Sequence, residues 1–146
     1  MNDTRMVLAV KMLGRIRCSL RPRQDNITCI LLCGDEVLLV DYKHGTGWNF
    51  PTEVVRVDES PIEATHRGMR YRFSVPVPDA ISLGRLFCKF GCRREVMYCF
   101  LSRVPTKEFK ILDVRAREAQ WFHVEHLPEN LSEFAREVVD KWFDEL

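Results

Sequence analysis

The sequence WNFPTEVVRVDESPIEATHRGMRYRFSV, residues 48–75, carries the strongest structural signal in the chain. It passes from an aromatic turn through a short extended run into a segment with helix-start chemistry. Ser60 is a good N-cap residue, Pro61 suits the first helical turn, and Glu63 completes a capping box. Apolar residues then recur at helical spacing. The pattern predicts a helix over residues 60–73.

The same stretch resembles the Nudix hydrolase box, G-x5-E-x7-R-E-U-x-E-E-x-G-U, where U is a bulky aliphatic residue. When residues 53–75 are aligned on Glu59 and Arg67, the seven-residue gap is kept, and Met69 and Val75 fall on the aliphatic positions. The preceding W-x-F-P is also similar to the family's approach to the box. The resemblance implies a Nudix fold and hydrolysis of a diphosphate, with Mg²⁺ or Mn²⁺ bound by the three helix glutamates.

The box is degenerate at five positions: Glu53, Gly68, Tyr71, Arg72 and Ser74. Two of these stand where the family has glycine, and positions 68, 71 and 72 replace the three helix glutamates on one helix face. Glycine offers no ligand, tyrosine is neutral near pH 7, and arginine is a fixed cation. The scaffold residues Glu59 and Arg67 are kept and can pair, whereas the metal ligands that the resemblance implies are lost.

The order of motifs extends the resemblance over about residues 26–146. A strand hairpin precedes the box, two further strands follow it, and the late segments E-x-x-W-F and L-P also look like the family's. A last amphipathic helix is predicted over 131–145, capped by Asn130 and Glu133. The fold class implied is α+β, a Nudix-like α/β/α sandwich with a mixed, curved sheet. Residues 25–146 are assigned to this domain and residues 1–24 to a basic amphipathic N-terminal helix.

Composition indicates one ordinary globular domain. The chain has 146 residues, is 46% hydrophobic and 29% charged, and has a net charge of +1, which favours no particular partner. Residues 1–24 are the exception, with six basic residues against one acid. The apolar run Met6–Val10 is short for a secretory signal, so a cytoplasmic location is expected. The six cysteines are accordingly expected to be free thiols.

Four arginines and two aromatic residues are the candidate ligand-binding residues: Arg56, Arg67, Arg70, Arg72, Trp48 and Phe50. Guanidinium groups match phosphate oxygens bidentately, and the rings, together with Trp121, can stack a nucleobase. Arg67 can instead pair with Glu59, the next two arginines can point to water, and the rings can pack in the core. No aromatic platform accompanies the arginines, so specific nucleic-acid binding is not indicated.

The carboxylates near the box are the remaining candidates. Glu59 and Glu63 lie one helical turn apart and are candidate metal ligands, while Glu59 and Glu118 are candidate catalytic residues. Each also has a structural explanation, because Glu59 can pair with Arg67 and Glu63 can cap the helix. Without a metal to organise water and phosphates, a general base such as Glu118 lacks its substrate geometry.

The leading interpretation is a Nudix-superfamily protein that is catalytically impaired, needs no cofactor, and binds a nucleotide, a phosphate ligand or a protein partner. One alternative is an Mg²⁺- or Mn²⁺-dependent hydrolase of nucleoside-diphosphate-linked substrates that uses relocated carboxylates, namely Glu53, Glu59, Glu63 or Glu118. Another is a membrane-surface protein docked by its basic N-terminal helix. The pattern argues against the usual Nudix pyrophosphohydrolase activity and leaves open whether any catalysis remains.

Overall fold

The computed structural model describes residues 23–90 and 93–146. Within these ranges the chain forms seven strands, two α-helices and a final 3₁₀ turn. In chain order they are β1 Gln24–Cys33, β2 Glu36–Tyr42, β3 Trp48–Asn49, β4 Thr52–Val54, α1 Pro61–Phe73, β5 Ile81–Phe90, β6 Arg93–Arg103, β7 Ala116–His123, α2 Glu133–Trp142 and the 3₁₀ turn Phe143–Glu145. The N-terminal helix predicted for residues 1–24 lies almost wholly outside the described residues.

The strands form one mixed sheet. Its main order is β3-β2-β1-β6-β5, with β4 paired to β1 and β7 paired to β2. β1 runs parallel to β6, with Asn26 opposite Met97, whereas the other pairs are antiparallel. The predicted α+β class with a mixed sheet is confirmed.

The two helices cover opposite faces of this sheet. Successive strand residues point to opposite faces, so β1 and β2 each contribute to two apolar clusters. Ile27 and Leu38 pack in the cluster that includes α1, while Ile30 and Val37 pack in the cluster that includes α2. The predicted α/β/α sandwich is therefore present, and the box helix lies on one side of the sheet only.

Helix α1 begins and ends at residues with clear local reasons. The Ser60 hydroxyl accepts the Glu63 backbone N–H, as predicted for the N-cap, and donates to the Glu63 carboxylate, which a full capping box places on the Ser60 backbone N–H. Ser74 ends the helix in the left-handed region at φ 57°, and its N–H donates to the carbonyl of Arg70. This is the position where the Nudix box has glycine, so Ser74 adopts a backbone conformation that glycine adopts more easily.

Helix α2 begins later than predicted. Its N-cap is Ser132, whose Oγ accepts the backbone N–H of Ala135 at 3.1 Å. The prediction that Asn130 caps this helix was wrong, because its backbone is hydrogen-bonded to another part of the sheet. Its carbonyl accepts the N–H of Trp48 at 2.9 Å, which ties the loop before α2 to β3.

Two further predictions concern residues that the structure describes. Cys29, Cys33, Cys88 and Cys99 are free thiols, as expected from the sequence. Among the helices in the described part of the chain, none is long and apolar enough to cross a membrane. The prediction of membrane-surface docking concerns the N-terminal segment and stays a prediction.

Candidate functional site

The loop between β4 and α1 is closed by a partly buried ion pair. Arg67 donates from Nε to both carboxylate oxygens of Glu59, at 3.0 and 3.2 Å, and from Nη2 to Oε1 at 2.6 Å. The same Nη2 reaches the carbonyl of Val54 at 2.8 Å, and the backbone N–H of Arg56 donates to Glu59. The hydrogen bonds from Arg67 lower the pKa of Glu59 from 4.5 to about 2. The predicted pairing of Glu59 with Arg67 is confirmed, and it gives Arg67 a scaffold role.

The carboxylate of Glu53 lies beneath α1. The residue is only 4% exposed, and its Oε1 accepts its neighbour Val54's N–H. Its Oε2 accepts from Nε of Arg72 at 2.8 Å and lies 3.5 Å from Nη1 of Arg67. A Cβ built on Gly68 would lie 2.8 Å from Cβ of Glu53 and 2.9 Å from its Cγ. The Glu53 side chain therefore fills the space that a side chain at position 68 would need.

Asp113, on the loop before β7, is the second carboxylate that faces Arg72. Its side chain is fully buried, and its Oδ1 lies 3.7 Å from Nη1 of Arg72. Arg115 donates three hydrogen bonds to it, from Nε at 2.9 Å, from Nη2 at 2.7 Å and from its backbone N–H at 3.0 Å, and Nη2 also donates to the carbonyl of Thr52. Burial acts to raise the pKa of Asp113, but the bonds and charges of Arg115, with the charge of Arg72, lower it.

Asp113 and Arg115 were missed by the sequence analysis. They lie in a mixed, polar segment without periodicity or a recognisable motif. The contact with α1 depends on two hydrogen bonds, which the backbone N–H groups of Leu112 and Asp113 donate to the carbonyl of Arg72 at 2.9 and 3.1 Å. Since these bonds bridge about 40 residues of chain, no local pattern could have indicated them.

The charges around α1 balance within this group of side chains. Three carboxylates face three guanidinium groups: Glu53, Glu59, Asp113, Arg67, Arg72 and Arg115. We call these six residues the box network. Partly buried pairs of this kind are stable when each charge has a partner and its hydrogen bonds are satisfied.

The residues of the box helix do not fit a divalent metal. Gly68 offers no donor, Tyr71 is 69% exposed, and Arg72 brings a positive charge to the carboxylate of Glu53. Mg²⁺ requires oxygen ligands, several of them commonly carboxylates or water. Across the described ranges, no group of three or more His, Cys, Asp or Glu side chains is placed to hold a metal ion.

The three candidate metal ligands and bases, Glu59, Glu63 and Glu118, are also placed by the structure. Glu59 is held by Arg67, and Glu63 is used in the cap of α1. Glu118 is exposed on β7, opposite Asp41. Its neighbour Ala119 packs in the α1 cluster, so strand alternation directs Glu118 to the other face of the sheet. The structure thus does not bring Glu118 to the box network.

The remaining two candidate arginines are exposed. Arg56 is on the loop before α1 and lines a cleft of about 450 Å³. The cleft residues are Arg23, Gln24, Asp25, Val55, Arg56, Val57 and Glu59. Arg70 lies on the solvent side of α1. These two guanidinium groups belong to no ion pair described in the structure, unlike Arg67 and Arg72.

The candidate aromatic residues lie on different faces of the sheet. Phe50 is fully buried in the α2 cluster and packs against Phe143, so its ring has no exposed face for a nucleobase. Trp48 is partly buried in the same cluster and meets Phe122 edge-on, with ring centroids 5.1 Å apart. Trp121 lies on the α1 side, where its Nε1 donates to the carbonyl of Lys107. The structure does not gather these rings into one stacking site.

Comparison with known proteins agrees with this fold. A model of the NUDIX domain matches residues 22–142, so the chain belongs to the Nudix family. No curated protein sequence matches the chain.

Solved structures show the same architecture at low sequence identity. A MutT NUDIX hydrolase from Burkholderia pseudomallei is 16% identical with a TM-score of 0.76, covering 84% of this chain and 99% of its own. The NUDIX domain of Shewanella oneidensis NrtR, complexed with ADP ribose, is 13% identical with a TM-score of 0.71, covering 86% and 90%. A MutT protein from Methanosarcina mazei Go1 is 18% identical with a TM-score of 0.67, covering 84% and 96%.

Proposed function

We propose that this Nudix protein is catalytically impaired and acts by binding a nucleotide or another phosphate-containing ligand without a metal cofactor. The observation that carries the proposal is the ion pair between Arg72 and the buried carboxylate of Glu53, at 2.8 Å. It sets a fixed cation on the helix face where the Nudix box has carboxylates. The same face would otherwise draw a divalent ion to the substrate phosphates.

Electrostatics support the absence of a bound metal and therefore the impaired catalysis. Two unit charges about 4 Å apart interact by ~4 kcal/mol at an effective dielectric constant near 20, and a dication roughly doubles that. Arg72 therefore opposes a dication beside Glu53. The carboxylates that could offset this repulsion, Glu53 and Asp113, already have guanidinium partners.

Exposed arginines support the binding of a phosphate-containing ligand. Arg56 lines the cleft, and Arg70 lies on the solvent side of the helix. Guanidinium groups without a carboxylate partner can form bidentate bonds with phosphate oxygens. The NUDIX domain of NrtR was solved in a complex with ADP ribose, which makes ADP-ribose a suitable first probe. If ADP-ribose does not bind in this titration, binding of a protein partner becomes the favoured interpretation.

The test combines binding and turnover on the full chain. Calorimetric titration with ADP-ribose in EDTA is expected to show binding that Arg56→Ala weakens by about tenfold, equivalent to ~1.4 kcal/mol. Arg117→Ala is the matched control, because Arg117 is an exposed arginine on β7, away from the cleft. Hydrolysis of ADP-ribose, dinucleoside polyphosphates and nucleoside triphosphates with Mg²⁺ or Mn²⁺ should not exceed the rate without protein. Metal-dependent turnover would overturn the proposal.

A second candidate function retains hydrolysis through a relocated carboxylate. It is favoured by the position of Glu53, whose side chain fills the space beside Gly68. If turnover with Mn²⁺ is found, Glu53→Gln should abolish it in protein that circular dichroism shows to be folded. Activity that survives this change and Glu59→Gln would exclude both carboxylates as the source.

A further inference from the structure

Seven large apolar side chains are exposed in the part of the chain that the structure describes, and four of them lie on α1 and on the loop bonded to its end. Tyr71, on the last turn of the helix, is 69% exposed. The loop before β7 contributes Ile111, Leu112 and Val114, which are 43%, 54% and 77% exposed. We call these four residues the apolar patch. Single exposed apolar side chains are common, whereas a cluster of them indicates a surface that binds something else.

Backbone hydrogen bonds hold the loop against the helix. The N–H of Lys110 donates to the carbonyl of Phe73 at 2.9 Å. The N–H of Leu112 donates to the carbonyl of Arg72, also at 2.9 Å. The side chain of the next residue, Asp113, is fully buried. The apolar patch is thus a fixed part of the fold, and folding leaves its side chains in water.

The surface around the patch is positively charged. Residues 64–78 contain three arginines and no acidic residue, and residues 109–117 contain three basic residues and one acid, Asp113. Since the Asp113 side chain is buried, neither segment exposes a carboxylate. Arg70 and Lys110, each next to a patch residue in sequence, are exposed and belong to no ion pair described in the structure. A partner of this surface must therefore offer apolar groups together with negative charge.

The opposite side of the sheet carries the opposite charge. Residues 133–145, which form α2 and the final turn, contain five acidic and two basic residues, and all seven are exposed. A charge distribution of this kind orients a protein in an external field. It turns the α1 side toward an anionic surface and the α2 side away from it.

We propose that the apolar patch docks this protein on an anionic lipid bilayer. The four apolar side chains enter the interface, while Arg70 and Lys110 contact the headgroups. Burial of apolar side chains and attraction to anionic lipids act together in docking of this kind. The proposal goes beyond ligand binding, and it uses neither Arg56 nor the cleft that Arg56 lines.

Other occupants fit the surface less well. Two patches from two copies of the chain would bring like charges together, and no residue of α2 is among the exposed large apolar side chains of the described residues. Nucleic acid would match the charge but not three aliphatic side chains, because bases stack on aromatic rings or arginine. A segment that binds in a groove needs walls, whereas Tyr71 and Val114 are exposed over more than two-thirds of their area. A fluid bilayer interface accommodates such protruding side chains.

Flotation of the full chain with lipid vesicles tests the proposal. Vesicles of about two parts phosphatidylcholine to one part phosphatidylserine are expected to carry the chain, and vesicles of phosphatidylcholine alone to carry much less. The double change Leu112→Ser with Val114→Ser should weaken partitioning roughly tenfold, because aliphatic groups are lost from the interface. Both side chains are exposed, so this patch variant is expected to fold, and circular dichroism checks that it does.

Lys110→Ala tests the charged part of the surface. Partitioning to the mixed vesicles should weaken about fivefold, as expected for one basic residue at an anionic surface. Lys141→Ala is the matched control, since Lys141 is an exposed lysine on α2, across the sheet. Phe87→Ser is the apolar control, because Phe87 is 68% exposed on β5 and lies outside the patch. Neither control should change partitioning.

Two results would overturn the proposal. If the unchanged chain does not bind the mixed vesicles, the proposal is wrong, and an acidic protein partner becomes the explanation of the patch. If the chain binds but the folded patch variant binds equally well, or loses no more than Phe87→Ser, the patch is not the docking surface. Membrane docking would then be assigned to another part of the chain, with the basic segment 1–24 as the first to test.

These outcomes are separate from the proposed function. No patch residue lines the Arg56 cleft, so the patch variant should bind ADP-ribose in EDTA with the affinity of the unchanged chain. Failure of ADP-ribose to bind would contradict the proposed function and leave the vesicle result to be judged alone. Failure of vesicle binding would contradict the docking surface even if ADP-ribose binds.

Discussion

At the scale of single residues, Gly68 and Glu53 compete for one small volume between α1 and β4. Alanine is normally about 1 kcal/mol better than glycine inside a helix. Here the added Cβ would come within 3 Å of two Glu53 carbons, and overpacking of this kind costs about 1–3 kcal/mol. Once the gain in helix propensity is subtracted, Gly68→Ala is expected to lower the free energy of unfolding by up to about 2 kcal/mol, measured by urea denaturation.

The control for this prediction is the same change without the competing side chain. In a Glu53→Gly background, which removes both contacting carbons, Gly68→Ala should cost less than in the unchanged chain, because the two sites are in contact and their effects are not additive. An equal cost in both backgrounds would show that the contact with Glu53 is not the cause.

At the scale of elements, the end of α1 stores local backbone strain. Ser74 adopts φ 57°, and left-handed geometry costs an L-residue roughly 1 kcal/mol or more relative to glycine. Glycine is also more flexible in the unfolded chain, which offsets part of the gain. Ser74→Gly is expected to raise the free energy of unfolding by about 0.5–1 kcal/mol in urea denaturation. Ser74→Ala is the control, because it removes the hydroxyl and keeps the strain, and a similar gain from alanine would contradict the explanation.

The two helices show which part of an element a sequence can predict. The start of α1 is set by residues close in sequence, Ser60 and Glu63, so the N-cap and its partner were predicted correctly. In α2 the periodic apolar residues were recognised, but two polar residues competed for the cap. Asn130 is drawn toward β3 by its bond with Trp48, and Ser132 becomes the cap. That choice depends on a contact across the fold, which spacing does not contain.

At the scale of the whole molecule, the partly buried ion pair between Glu59 and Arg67 makes the stability of the chain depend on pH. The pKa of Glu59 is lowered from 4.5 to about 2 by its hydrogen bonds with Arg67. The folded chain therefore binds fewer protons than the unfolded chain between these values. The stabilisation is complete above pH 4.5 and is lost as pH falls toward 2.

Replacing Glu59 removes this pH-dependent contribution. Glu59→Gln is expected to be less stable than the unchanged chain at pH 7, and the difference should shrink as pH falls from 4.5 to 2. Urea denaturation at several pH values measures it. A constant difference over that window would show that the carboxylate charge does not stabilise the loop.

The architecture and the scaffold half of the box could be predicted, whereas the box network could be predicted only in part. Glu59 and Arg67 stand at motif spacing and were paired correctly. The partner of Arg72 was not predicted. Glu53 lies on β4, and no local sequence pattern indicates how β4 is positioned against α1. Asp113 was missed for the same reason, since its segment has no periodicity and reaches α1 through backbone bonds.

The parallel pairing of β1 with β6 also sets an order of events during synthesis. Asn26 pairs with Met97, so the full partner of β1 is made about 70 residues later. At roughly 5–20 residues per second the ribosome needs on the order of 4–14 s to add that length. Throughout this interval one edge of β1 has no strand to pair with. Seven consecutive residues of β1 are buried in the finished fold. The growing chain therefore presents an apolar strand edge well before the sheet can close over it, and this is the stage at which a chaperone would have most to protect.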